Sequence, residues 1–272
     1  TGKVTEENGD PLAGATIVAT HLPSGTIYGA LANSAGIYSI QGMRPGGPYT
    51  VNVSFVGYKT QSYTEINLLL GENTTLNSTV ASTTTEMTEV TVIGYATSKF
   101  NTTQTGAVTN ISNTQIANMP TVSRSIMDVT RISPYGGNGM SFVGSDGRTA
   151  NFTVDGANFN NNFGLSSALP GGGNPISIES IEELQVVIAP YDVRQTNFIG
   201  GGVNAITKSG TNTFKASVYT YHRNENMRGD AVNGMQIAGA RAVDRNTTYG
   251  FTFGGPIIKN KLFLFANGEI AK

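Results

Sequence analysis

Residues 49–56 read YTVNVSFV, and their alternation decides the fold. Tyr49, Val51, Val53 and Phe55 are apolar, while Thr50, Asn52 and Ser54 between them are polar. A period of two sends successive side chains to opposite faces of a strand, so one face is committed to a core. The turn-forming run RPGGP (44–48) precedes this strand, as NSAG (33–36) precedes IYSI (37–40) and NGDP (8–11) precedes ATIVAT (15–20). Short β-branched runs, each opened by Gly, Pro or Asn, predict a small antiparallel β-sandwich over residues 1–82. His21 stands alone among these strands and is expected on the surface.

Composition agrees with a turn-rich β protein. The chain has 272 residues, enough for roughly two domains, and 38% of them are hydrophobic. Charged residues make up only 13%, against about 25% in an average domain, and there are 34 glycines. A net charge of −1 provides no basic field for nucleic acid or anionic lipid, so nucleic acid is not an expected partner. The absence of cysteine excludes disulfides and thiolate metal sites while leaving the compartment open. No segment approaches the ~18 consecutive apolar residues of a membrane helix, and no signal peptide opens the chain. An exported protein would be present here in processed form or as a piece of a longer chain.

Beyond the sandwich the pattern changes twice. Residues 83–104 read as linker: STTTEMT and TSKFNTTQT bury little apolar surface. Between them stands MTEVTVIGYA (87–96), a β-branched run with no evident strand to pair with. From 105 to 211 the reading is mixed. SNTQIANM (112–119) and SRSIMDVTRI (123–132) predict short helices capped by Ser112 and Ser123, with Ile126, Val129 and Ile132 on one face. NFTVD (151–155) and ELQVVIA (183–189) predict strands, and the polar, Gly-rich residues 158–175 a long loop. From 212 alternation returns. Phe214, Ala216 and Val218 alternate with Lys215, Ser217 and Tyr219, and Tyr249, Phe251 and Phe253 with Thr248, Gly250 and Thr252.

These residues do not assemble into an enzyme. His222 has no second histidine at metal-pair spacing, and no metal site is expected. Glu179, Glu182 and Glu183 in ISIESIEEL predict a solvated helix start, and Asp155 an Asp-Gly turn after a strand. Gly200, Gly201 and Gly202 fit a close backbone approach in a packed domain better than a phosphate cradle, because no P-loop lysine follows.

Several stretches together resemble a known family. GDPLAGATIVA, NSAGIYSI and PYTVNVSFVGYKT resemble the carboxypeptidase-regulatory-like domain, a transthyretin-like sandwich without catalytic residues of its own. TVDGANFN (153–160), SIESIEELQVVIAPYDVRQTNFIGGGVNAITKSGTN (177–212) and GGPIIKNKLFLF (254–265) resemble the plug and first barrel strands of TonB-dependent outer-membrane transporters, and PTVSRSIMDVTRISP (120–134) their Oar-like branch, related to the SusC-like transporters. The resemblance implies a mainly β chain: the sandwich, an α+β plug over 105–211, and the first strands of a transmembrane barrel over 212–272. Two departures stand out. QTNF (195–198) replaces the usual Tyr-Gly pair before the glycines, and the residues after Thr211 are too few for a plugged barrel of about 22 strands.

The resemblance also implies roles. MTEVTVIGYA is similar to the TonB box, so Glu89, Val90, Thr91, Val92 and Ile93 are expected to bind TonB by strand addition; an extra edge strand on the sandwich itself is the alternative. Arg131, Arg148 and Arg194 are candidates for locks between plug and barrel. Asn158, Phe159, Asn160, Asn161, Asn162 and Phe163 are candidates for substrate contact. Residues 223–246 would form the first extracellular loop and 256–261 a periplasmic turn. No cofactor is implied. Outer-membrane lipid and a surface lipoprotein or other outer-membrane subunits are further partners the resemblance suggests, with the sandwich in the periplasm. A structural or export component of an outer-membrane assembly, and a secreted adhesion module, are the other readings.

Overall fold

The computed structural model describes residues 1–82, 91–94 (backbone), 107–121, 124–160, 169, 174–188, 195–196, 199–227, 229, 231–236 and 242–272. Eight strands form the first unit: β1 Gly2–Glu6, β2 Thr16–His21, β3 Thr26–Leu31, β4 Ile37–Tyr38, β5 Gly46–Ser54, β6 Gln61–Leu68, β7 Ser78–Val80 and β8 Thr91–Gly94. They lie in two sheets, ordered β4-β1-β7 and β3-β2-β5-β6-β8. Tyr49, Val51 and Val53 of β5 point into the core with Val4, Ile17, Ala19 and Val80. Phe55 falls just past the end of β5 and only partly joins that core.

The expectation for His21 is corrected here. It is 4% exposed, because β2 buries Ile17, Ala19 and His21 in alternation. Its ring lies 4.8 Å from that of Tyr49, its register partner on β5, and its Nδ1 is 2.7 Å from Ser24 Oγ. Burial, aided by Arg44, pushes its pKa down. A neutral imidazole thus serves as a core side chain with one satisfied nitrogen.

The second unit begins with β9 Ala107–Ser112, α1 Asn113–Asn118 and α2 Ile126–Thr130, and continues through β10 Asn151–Val154, β11 Ala157–Asn158, β12 Ile181–Ile188 and β13 Gly201–Thr207. Ser112 caps α1 in a full capping box with Gln115, as expected. Helix α2 is capped by Ser125; Ser123 lies outside the described residues. The sheet order is β11-β10-β13-β12-β9, with β10 and β13 parallel and the other pairs antiparallel. Ile126 and Val129 pack with Phe142, Phe152, Leu184, Val186 and Val203 on one face of this sheet. Ile132 lies beyond the helix end and is 39% exposed. Gly201 is required by packing, since a Cβ there would stand 2.6 Å from the Phe142 ring. Overfilling that contact costs about 1–3 kcal/mol.

The third unit is a meander of β14 Lys215–Arg223, β17 Asn246–Ile258 and β18 Leu262–Ala271, ordered β14-β17-β18. The connection between β14 and β17 carries the short hairpin β15 Ala231–Val232 and β16 Met235–Gln236. Val218 is 88% exposed, and Phe214, Tyr249, Phe251 and Phe253 share its outward-facing character. The inward set behaves oppositely. Tyr219 leans over Gly250 so closely that a Cβ there would meet the ring at 2.2 Å, and Ser217 bonds to Thr252 at 2.6 Å. An apolar outer face and a polar inner face are what a strand needs when lipid lies on one side and a filled lumen on the other.

Candidate functional site: the plug and its two seams

The plug sheet is held from two sides. Toward the barrel strands, Arg124 is the principal side chain. Its backbone adopts φ 50°, a left-handed conformation that costs a non-glycine residue energy and points to a constraint at this position. Its Nη2 donates to Glu179 Oε1 at 2.7 Å, and its guanidinium lies 3.6 Å from the centroid of the Tyr221 ring on β14 and 5.8 Å from that of Tyr219. Ser177 forms a second contact. Its hydroxyl donates to Glu269 Oε2 of β18 at 3.0 Å, lies 3.0 Å from Tyr219 Oη, and accepts from the Glu179 N–H at 3.2 Å. Tyr219 Oη donates to the same Glu269 oxygen at 2.8 Å. One planar cation stacked on an inward-facing tyrosine, beside one shared carboxylate, fixes the plug to two barrel strands with groups that detach without covalent change.

The arginines singled out in the sequence lie elsewhere. Arg131 bonds to Asn138 and lies 4.0 Å from Asp128, and Arg148 is paired with Asp146 at 2.5 Å, all within the plug. That pairing holds the Asp146 carboxyl down to about 2. Arg194 lies outside the described residues. Nothing in VSRS (122–125) distinguishes Arg124 before folding; its partners lie 55 and 97 residues away in sequence.

The second seam joins the plug to the sandwich. Leu69, Leu70, Gly71 and Glu72 form a turn closed by the Glu72 N–H donating to the Leu69 carbonyl at 3.2 Å, with Gly71 at φ +70°. The Leu70 N–H donates to both oxygens of Glu183, at 3.1 and 3.2 Å. Gln185 Nε2 and Asn110 Nδ2 both donate to the Leu70 carbonyl, and Asn110 Nδ2 also to Glu72 Oε1 at 3.1 Å. This corrects the expectation of a solvated helix start. Only Ile178–Ser180 is helical, a single 3-10 turn, and Glu183 already belongs to β12, 4% exposed. Burial pushes its carboxyl up to about 7 against the Leu70 hydrogen bond, with Glu72 and Glu182 adding to the rise. The polar alternation of Glu183 and Gln185 in ELQVVIA was the available signal for this seam.

The remaining candidates divide. Of the expected TonB-binding residues, Glu89 and Val90 lie outside the described residues, while Thr91, Val92 and Ile93 belong to β8. This strand pairs in parallel with β6, Thr91 opposite Gln61 and Gly94 opposite Thr64, at the edge of the sandwich. Asn158 ends β11 and is exposed. Phe159 packs against the plug core, and Asn160 braces β10 by accepting from the Phe152 N–H at 2.6 Å and donating to Asn151 at 2.7 Å. Asn161, Asn162 and Phe163 lie outside the described residues. Asp155 is satisfied by Thr207, whose N–H and hydroxyl donate at 3.0 and 2.7 Å. Among the described residues no cluster of three metal-ligating His, Asp or Glu side chains occurs.

A β-sandwich, a mixed sheet and a meander with a lipid-type outer face point to a class: barrel proteins of the bacterial outer membrane. Residues 1–81 match the carboxypeptidase regulatory-like domain, and residues 206–272 match an outer membrane beta barrel domain. Over 152 residues the chain is 30% identical to the TonB-dependent transporter Oar of Myxococcus xanthus; the match takes in 53% of this chain and 14% of that relative. Crystal structures of the siderophore receptor PirA from Pseudomonas aeruginosa and from Acinetobacter baumannii are also similar. Their TM-scores are 0.47 and 0.45 at 22% and 24% identity, covering 62% and 60% of this chain and 28% and 24% of theirs. The two domain matches and the TonB-dependent transporter of Myxococcus xanthus support a TonB-dependent transporter fragment of the bacterial outer membrane.

Proposed function

We propose that the chain gates substrate passage: the plug closes the lumen of the barrel, and TonB opens it by pulling on the segment containing Glu89, Val90, Thr91, Val92 and Ile93. The observation that carries this reading is the detachable seam between Arg124, Ser177 and the inward face of β14 and β18. A stacked cation and hydrogen bonds of this kind, the contacts found here among the described residues, are suited to mechanical release. The work would come from the partner, and no bond chemistry is required of this chain.

The pulled segment fits the role physically. A short β-branched strand offers backbone donors and acceptors to the open edge of a partner sheet. Orientation agrees. The Asn212 N–H donates to the Pro23 carbonyl of the sandwich at 2.8 Å, and Asn212 pairs with Asn260 in the short turn between β17 and β18. Short turns face the periplasm in such barrels, so this contact supports a sandwich on the side where TonB would act. Asn158, exposed at the end of β11 and held by its braced neighbours, is the substrate contact this reading favours.

Deleting residues 89–93 from the full-length transporter tests the reading. Binding of the periplasmic domain of TonB, measured by calorimetry, is expected to be lost while the barrel still assembles. Unchanged binding would sink the coupling.

A further inference from the structure

We infer that the sandwich turn at residues 69–72 is a clasp on the plug, holding β9 and β12 in the closed sheet until load arrives through the chain ahead of β9. This deepens the gating reading and rests on it.

The clasp is the end of a polar rung that crosses the plug sheet. Thr153 on β10 stands opposite Asn204 on β13, Asn204 opposite Gln185 on β12, and Gln185 opposite Asn110 on β9. The side chains are bonded in the same order. Thr153 Oγ1 donates to Asn204 Oδ1 at 2.7 Å and Asn204 Nδ2 to Gln185 Oε1 at 3.3 Å, after which Gln185 and Asn110 converge on the Leu70 carbonyl. The neighbouring rungs, Phe152 with Val203 and Val186, and Val154 with Ala205 and Leu184, face the apolar core on the other side of the sheet. A polar row with one terminus in another unit is not explained by the stability of the sheet alone, since apolar side chains would serve that purpose. It is explained by a need to fasten that terminus.

The place of fastening is informative. β9 is an edge strand of the plug sheet and the first plug strand after the pulled segment, so tension reaches it before any other. The turn bonds to β9 through Asn110 and to β12, the neighbour of β9, through Glu183 and Gln185. Gly71 lets the turn come this close, since a Cβ there would lie 2.7 Å from Gln185 Nε2. Asn110 Oδ1 is buried without a partner, so the hold rests on Asn110 Nδ2, Gln185 and Glu183, linked contacts that are expected to fail together once one partner moves.

The test uses the full-length transporter in lipid vesicles, pulled mechanically by a handle at Thr91→Cys in a background free of other cysteines, with the force of the first plug rupture recorded. Because the handle replaces TonB, failure of TonB binding leaves the outcome unaffected. Gly71→Val alters only the sandwich side, and Asn110→Ala and Glu72→Ala remove one bond from opposite sides. Each is expected to lower the first rupture force and to speed hydrogen exchange of residues 107–112 by roughly five- to tenfold, as the loss of one net hydrogen bond allows. The Asn110→Ala and Glu72→Ala double variant is expected to lose less than the sum of the singles. A first rupture unchanged by Gly71→Val, with exchange of residues 107–112 also unchanged, would overturn the clasp. Strictly additive losses at Asn110 and Glu72 would overturn their direct coupling.

Discussion

Two side chains carry most of the consequences at the scale of single residues. Replacing Arg124 by Ala is expected to loosen the plug by about 1–2 kcal/mol, the worth of a partly desolvated stack and a charged hydrogen bond. Lys at 124 should restore little of it, because an ammonium lacks the planar face that lies on Tyr221. A double-mutant cycle between Arg124 and Tyr221, read by urea-induced plug release, checks both points. Glu183 sets a pH dependence whose sign follows from its environment. Its carboxyl sits at about 7 in the folded chain against an ordinary value of 4.5, chiefly through burial, so folding favours the protonated form. That contribution is fully present below 4.5 and is lost as pH rises through about 7. Stability to urea should fall between pH 5 and pH 8, and Glu183→Gln should flatten the profile. Stability that rises across this range would contradict this assignment. His21 and Glu183 also mark where single residues mislead when read in isolation, since the burial of each comes from strands far away in sequence.

Strand alternation is the part of the architecture most legible in the sequence. YTVNVSFV gave β5 with its buried face, and Phe214 to Val218 and Tyr249 to Phe253 gave an outer face that the meander displays. Period two is a local property, so it survives without knowledge of neighbours. The seams were not legible for the converse reason: Arg124, Ser177 and Asn110 acquire meaning only from partners brought to them by the fold. Two predictions belong here. Val218→Lys, on the outer face, should cost about 2–4 kcal/mol where it meets the middle of the bilayer, while Ser217→Lys on the inner face should cost less; insertion of the full-length barrel into vesicles measures the difference. Val92→Pro removes a backbone donor from β8 and should weaken strand addition to TonB while leaving the sandwich folded. Equal TonB affinity for this variant would place the contact outside β8.

For the whole molecule, the three units are linked in a way that sequence order does not suggest. The sandwich touches the plug through residues 69–72 and, through Pro23, Asn212 ahead of β14, which in turn bonds to the β17–β18 turn at Asn260, while the plug touches the barrel through Arg124 and Ser177. Each unit thus restrains the other two. The register of β9 adds a consequence in time. Tension entering at Ala107 reaches the end of the ladder where Ala107 faces Ile188, then Val108 facing Val187 and Thr109 facing Val186, before it arrives at Asn110. Strand β9 is therefore a zipper whose first two teeth are plain, whose third has one hydroxyl contact, Thr109 Oγ1 at 3.3 Å from Ser133 Oγ, and whose fourth is tied to another unit. Small tugs would open and reclose those first positions without displacing the plug, so the position of one asparagine along six residues gives the gate a threshold, separating brief tugs from a sustained pull.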